Sequence, residues 1–342
     1  MLAHPHAFVS STSNFPAKQK LPPDSIRNLI DADMTAVDAL IRRRLDSDVA
    51  LIRTIAEYII GAGGKRLRPA LVLLSAGATG YAGTHHHELA AVVEFIHTAT
   101  LLHDDVVDES ELRRGRRTAN AQFGNAASVL VGDFLYSRAF QMMVSVRSMR
   151  VMEVLADATN TIAEGEVLQL LNAHNVAIGE REYLDVIRRK TAKLFEAAAQ
   201  IGAILGSAPR QLEEGLARYG MHLGTAFQLI DDVLDYSGDA LHTGKNLGDD
   251  LKEGKPTLPL ILVLQKGTPR QAEMVRNAIE KGGGEDFASI LEAMSACGAI
   301  AYAREKAQCE ARLACEALAP LPHSKYGDSL LELSRFAVER DY

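Results

Sequence analysis

From residue 24 onward, apolar residues recur at the three- and four-residue spacing of an α-helix. No sustained alternation of period two is present and no Asn-Gly or Asp-Gly pair marks a hairpin. The pattern therefore predicts an all-α protein without strands. Breaks are expected at 61–64, 80–84, 113–118, 177–180, 206–210, 238–248, 254–256, 267–269 and 282–285, where Gly and Pro cluster. The segments between them run to roughly 12 to 30 residues, typical to long for helices. Those around 88–107, 120–148 and 183–205 are apolar on more than one face, which places them in the interior. No repeat, low-complexity run or linker divides them. The expectation is one helical bundle over 24–342, with a buried centre, preceded by a disordered tail over 1–23.

Composition narrows the choice. With 342 residues, 47% of them hydrophobic, the chain can bury a sizeable core. A net charge of −7 argues against a nucleic-acid binder, which should show a basic stripe, so any anionic ligand must be held by local cationic clusters. Cys297, Cys309 and Cys315 form no CxxC pair and read as reduced, buried thiols of a cytoplasmic protein. No run of about 18 apolar residues predicts a transmembrane helix. The polar first 23 residues lack the apolar core of a secretory signal.

The segment at 94–117, EFIHTATLLHDDVVDESELRRGRR, carries the first candidate chemistry. On a helix Asp104 and Asp108 share a face, and Asp105 lies about 100° round. The same stripe runs back through Thr100, His97 and Val93, from charged to small and apolar, as the wall of a cavity with a hydrophobic end. Carboxylates this close repel by about 4 kcal/mol per pair at an effective dielectric near 20. They need cations, and an all-oxygen donor set suits Mg²⁺ shared with substrate phosphates. The alternative is a solvated helix end paired with the arginines at 113, 114, 116 and 117.

GTAFQLIDDVLDY (224–236) repeats the spacing in Asp231, Asp232 and Asp235, again after an apolar run. Chance repetition is a poor account of that. Thr225 and Gln228 precede it on the same helix. GAGGKRLRP (61–69) sets Lys65, Arg66 and Arg68 after glycines that permit close backbone approach, before a helix start that favours anions. Arg113 and Arg114 could fork onto phosphate oxygens. Lys190, Thr191 and Lys193 interrupt an apolar helix. The stretch 242–257, with Lys245 and Lys255, has the composition of a lid. His85, His86 and His87 have no carboxylate at i+4 and read as an exposed helix start rather than a metal site.

Taken together, GGKRLRP (63–69), LLHDDVVDESELRRG (101–115), KTAKLFEAAAQ (190–200), GTAFQLIDDVLDY (224–236) and GKNLGDDLKEGKPTLP (244–259) resemble the motifs of the trans-isoprenyl diphosphate synthases. The resemblance runs from about residue 25 to Tyr342 and is greatest to bacterial long-chain members that make octaprenyl chains for ubiquinone. It implies the helical bundle of the isoprenoid synthases, with a central cavity, in a homodimer. It implies that Asp104, Asp105, Asp108, Asp231, Asp232 and Asp235 hold Mg²⁺ ions around an allylic diphosphate. Lys65, Arg68, His97 and Arg114 would bind isopentenyl diphosphate. Arg113, Lys190, Lys245 and Lys255 would hold the allylic diphosphate, and Thr191 and Gln228 would face the developing cation.

The resemblance further implies condensation of isopentenyl diphosphate onto farnesyl diphosphate. The expected product is an octaprenyl (C40) diphosphate for a quinone side chain, with C35 and C45 the next candidates. Ala99 and Thr100, just before the first run, carry no ring that would block growth. Met143 and Leu155 are expected near the pocket floor. A terpene cyclase would lack the isopentenyl site, and a non-catalytic partner subunit would lack one aspartate run; neither loss is seen.

Overall fold

The computed structural model describes residues 23–61, 63–113, 115–237, 247–283 and 287–340. The tail expected over 1–23 lies almost wholly outside the described residues. Helix α1 (Asp24–Arg44) buries Ile26, Ile30, Val37, Leu40 and Ile41, one helical stripe. It stops where the Ser47 hydroxyl accepts the Val49 amide at 3.2 Å, a local side-chain bond that competes with the helix. No Gly or Pro marks that break, and the sequence pattern missed it. After α2 (Ala50–Ile60), the chain turns through Gly63 and then Arg66, left-handed at φ 50°, into α3 (Leu67–Ala78).

Helix α4 (His85–Val107) is buried along most of its length, as expected of an interior helix. It ends at a two-residue antiparallel ladder, β1 (Leu112–Arg113) with β2 (Arg116–Arg117). This corrects the expectation of no strands, since a ladder this short has no periodicity to detect. The stretch 120–148, expected as one helix, is split at Gly124 (φ 89°) into α5 (Ala119–Phe123) and α6 (Asn125–Ser145). Helix α7 (Met149–Asn172) follows, its first turn capped by Ser148.

The segment after it holds a feature that periodicity did not predict. Helix α8 (Glu180–Ile187) continues without a break through a π turn (Arg188–Ala192) into α9 (Lys193–Leu205). The Lys193 amide bonds back to the Arg188 carbonyl, five residues away rather than four. Two glycines make room for this turn. A Cβ on Gly165 of α7 would meet the Lys190 amide nitrogen at 2.6 Å, and one on Gly224 would meet the Ala192 Cα at 2.6 Å.

The long α10 (Arg210–Ser237) packs against α9 and against a later helix, Ala299–Ala317. Between them in sequence come α11 (Asp249–Lys252), α12 (Leu258–Lys266), α13 (Pro269–Lys281) and α14 (Phe287–Ala296), followed by α15 (Ala299–Ala317) and α16 (Lys325–Val338). The main core joins α1, α3, α4, α6, α7, α9 and the first half of α10. Smaller clusters join the second half of α10 to the helices after it, one of them also taking in α8. Each fully buried large side chain, such as Phe95, Phe195 or Leu71, contributes about 1.5–3 kcal/mol. Cys297, Cys309 and Cys315 are free and half-buried. No helix among the described residues is long and apolar enough to cross a membrane.

Candidate active site

Helices α4 and α10 bring both aspartate runs to the wall of one cavity of about 410 Å³. Asp104, Asp108, Asp231, Asp232 and Asp235 all line it, as do Lys65, Arg68, His97, Arg113, Lys190, Thr191, Gln228 and Lys255. The stripe read along α4 therefore faces a ligand space: His97, Thr100 and Asp104 are on the wall. Asp105 departs from it. It is 1% exposed and does not line the cavity; its Oδ1 accepts from Arg113 Nε and Nη2, each at 2.7 Å.

The first run is surrounded by cations. Lys255 Nζ lies 2.9 Å from Asp108 and 2.5 Å from Glu253, and Lys190 Nζ lies 3.3 Å from Asp104 and 2.5 Å from Glu166. Burial works against both ammonium groups. The carboxylates overcome it and hold both lysines above the ordinary range, so they stay charged. Burial pushes the Glu166 carboxyl up to about 7; Lys190 opposes that and Asp104 adds to it.

The second run is held differently. Asp232 accepts from the Tyr183 hydroxyl at 2.6 Å and from Gln228 Nε2 at 2.7 Å, and Gln228 Oε1 accepts from Thr191 at 3.0 Å. A chain of neutral dipoles thus runs from the π turn to the carboxylate. Burial pushes the Asp232 carboxyl up to about 8, and Asp250 and Asp231 add to it against these hydrogen bonds. Asp235 accepts the Asp250 amide at 3.3 Å. Asp231 is bonded by Arg340 Nη1 at 2.8 Å.

On the basic side, the Lys65 ammonium lies 5.5 Å over the Phe227 ring and the Arg68 guanidinium 4.5 Å over Phe195, so aromatic faces carry cations to the wall. Arg66 turns instead to Glu94. Arg114 and Lys245 lie outside the described residues, as does the first part of the expected lid. Thr100 is on the wall, whereas Ala99, Met143 and Leu155 are fully buried in the main core and do not line the cavity.

Sequence reasoning missed Glu166, Tyr183, Phe227 and Arg340. Glu166 had a local signal, an acid in an apolar helix beside a glycine. Arg340 had none: it is 0% exposed, stacks 3.8 Å over Phe227 and bonds the Phe227 carbonyl and Asp231 from more than a hundred residues away.

A cavity lined by clustered carboxylates and cationic side chains suits a diphosphate held with divalent cations. The profile of the polyprenyl synthetase family matches residues 49–296. The octaprenyl diphosphate synthase of Escherichia coli is 55% identical over 319 residues, covering 93% of this chain and 99% of that one. An all-trans-nonaprenyl-diphosphate synthase (geranyl-diphosphate specific) of Rhodobacter capsulatus is 45% identical, over 90% of this chain and 95% of its own. A Caulobacter crescentus polyprenyl synthase, solved with calcium and isoprenyl diphosphate, superposes with a TM-score of 0.91 at 46% identity, covering 95% of this chain and all of that one. This chain belongs to the polyprenyl synthetase family.

Proposed function

We propose that this protein is a long-chain all-trans polyprenyl diphosphate synthase, which joins isopentenyl diphosphate to farnesyl diphosphate and repeats the addition to an octaprenyl (C40) diphosphate. The observation that carries this reading is that both aspartate runs and Lys65, Arg68 and His97 line one cavity. The identity of 55% to an octaprenyl synthase along 93% of the chain supports the product class.

The donor set fits Mg²⁺: the cavity offers carboxylate oxygens, with Asp232 poised to exchange its proton for a metal. Asp104, Asp108, Asp231, Asp232 and Asp235 would hold the ions, whose charge supplies stabilisation for the departing pyrophosphate. Asp105 serves by fixing Arg113. Arg113, Lys190 and Lys255 bind the allylic diphosphate, with Lys245 assigned the same role from its motif and Arg114 assigned to isopentenyl diphosphate. Lys65, Arg68 and His97 hold isopentenyl diphosphate alongside, which makes the attack effectively intramolecular. The allylic C–O bond breaks, and the new C–C bond forms from the isopentenyl double bond. A proton leaves to the pyrophosphate. Thr191 and Gln228 present oxygen dipoles to the positive charge in between.

Growth of the chain past Thr100 requires a path into the core between α4, α6 and α7, where Ala99 is small and Met143 and Leu155 form the stop. Leu130 and Val144, 67% and 59% exposed and four turns apart on α6, are apolar residues that a second copy would cover in a homodimer. The test is mass analysis of the product made by the purified chain from farnesyl and isopentenyl diphosphates. Octaprenyl diphosphate with Mg²⁺ and no product with a chelator are expected. No condensation product with Mg²⁺ present overturns the reading.

A further inference from the structure

Helix α4 begins as expected at His85, but His86 and His87 are not the exposed helix start that the sequence suggested. Their side chains are 14% and 22% exposed and both turn to Asp33 of α1. His87 Nε2 lies 2.9 Å and His86 Nε2 3.4 Å from the same oxygen, Asp33 Oδ1. The three donor atoms lie within 4.8 Å of one another. An ion bound tetrahedrally at about 2.0–2.1 Å sets neighbouring donors roughly 3.4 Å apart, close to these separations. We propose that Asp33, His86 and His87 form a second metal site, for a borderline transition ion of the Zn²⁺ class, that fastens α1 to the start of α4.

The surroundings hold the ligands in place before any ion arrives. The Tyr81 ring packs edge-on against His86 at 5.5 Å, and the Tyr81 hydroxyl accepts the His85 amide at 3.2 Å. A Cβ on Gly83 would meet that hydroxyl at 2.3 Å, so the glycine is what lets Tyr81 lie across the helix start. Two imidazole nitrogens with one carboxylate favour Zn²⁺ over Mg²⁺, which takes oxygen donors. The positive end of the α4 dipole works against a cation here, and the Asp33 carboxylate offsets it. Three protein ligands leave a position for water, so the ion should exchange. The site is separate from the aspartate cavity: seventeen residues of helix part His87 from Asp104, roughly 26 Å.

The test is Zn²⁺ uptake by the full chain, measured by equilibrium dialysis in millimolar Mg²⁺ to occupy the oxygen sites, with Co²⁺ absorption reporting geometry. Wild type should hold one equivalent and give intense tetrahedral Co²⁺ bands. His86→Gln/His87→Gln should lose both. Asp33→Asn should bind at least tenfold more weakly, with its circular dichroism unchanged. Zn²⁺ should raise the melting temperature of wild type by a few degrees and leave the double variant where it was. Equal uptake by wild type and both variants, or no uptake by wild type, overturns the site and leaves Asp33 as a hydrogen-bond acceptor only; product formation in Mg²⁺ is independent of either outcome.

Discussion

Near the end of α4, Asp104 meets Lys190, Asp105 meets Arg113 and Asp108 meets Lys255. Near the end of α10, the same spacing has other company. Asp232 meets Tyr183 and Gln228, Asp235 meets a backbone amide, and Asp231 meets Arg340. One run is neutralised by the chain itself. In the other, Asp231 has a cation of its own, while Asp232 is held by uncharged donors, which fix a carboxylate in place without adding a counter-charge. Burial, with Asp250 and Asp231 nearby, raises the Asp232 carboxyl against these hydrogen bonds. Spacing along a helix sets where carboxylates point; it does not set their charge state. A cation arriving from solution displaces a proton at Asp232 but a lysine at Asp104 or Asp108.

The sharpest way to break this contrast is to remove one carboxylate at a time. Asp104→Asn and Asp231→Asn should each lower kcat by about a thousandfold, as expected when a group that stabilises transition-state charge is lost. Asp105→Asn should lose far less, since Asp105 does not face the cavity. Equal losses in an assay of labelled isopentenyl diphosphate incorporation would erase the distinction.

Neutralising a cation should be costly at the first run. Lys190→Met leaves Asp104 and Glu166 without their counter-charge in a buried setting and should cost about 3 kcal/mol in denaturant unfolding of the metal-free protein. Tyr183→Phe, which removes a neutral donor from Asp232, should cost about 1–2 kcal/mol. A reversed order would mean that the second run is the more heavily charged in the folded state.

The pH dependence has a definite sign. Asp232 rises from 3.8 to about 8 on folding and Glu166 from 4.5 to about 7, so the folded state keeps protons that the unfolded state has lost. Stability of the metal-free protein therefore falls as pH rises from about 4 to about 8, and these groups add nothing further above that. Mg²⁺, which binds the deprotonated form, should bind more tightly across the same window. Thermal unfolding with and without Mg²⁺ at pH 6 and 8.5 checks both. Gly165→Ala should cost about 1–3 kcal/mol in the same unfolding measurement, through the clash with the Lys190 backbone.

Much of this was legible beforehand, for physical reasons that differ by residue. The helices and both aspartate runs could be read because helical periodicity is local. That Asp105 turns from the cavity to Arg113 could not be read, because Arg113 sits in a ladder too short to leave a pattern. Arg340, Tyr183 and the Asp33–His87 contact join segments far apart in sequence, where spacing carries no information. The break at 45–49 was missed because Ser47 makes it through a single side-chain bond rather than a glycine or proline.

The π turn at Arg188–Ala192 amounts to one surplus peptide unit in an otherwise regular rod. Removing any one residue there would restore the ordinary register and leave nearly as much helix in a circular dichroism spectrum as before. The helices on either side would keep their relation, because the wide turn already absorbs the extra residue, and only the side chains within the turn would be re-aimed. Lys190 and Thr191 could not then both keep Glu166 and Gln228 as neighbours. Such a deletion is close to a pure test of how the wide turn aims its own side chains, in which folded content is preserved and the ability to grow a chain is lost.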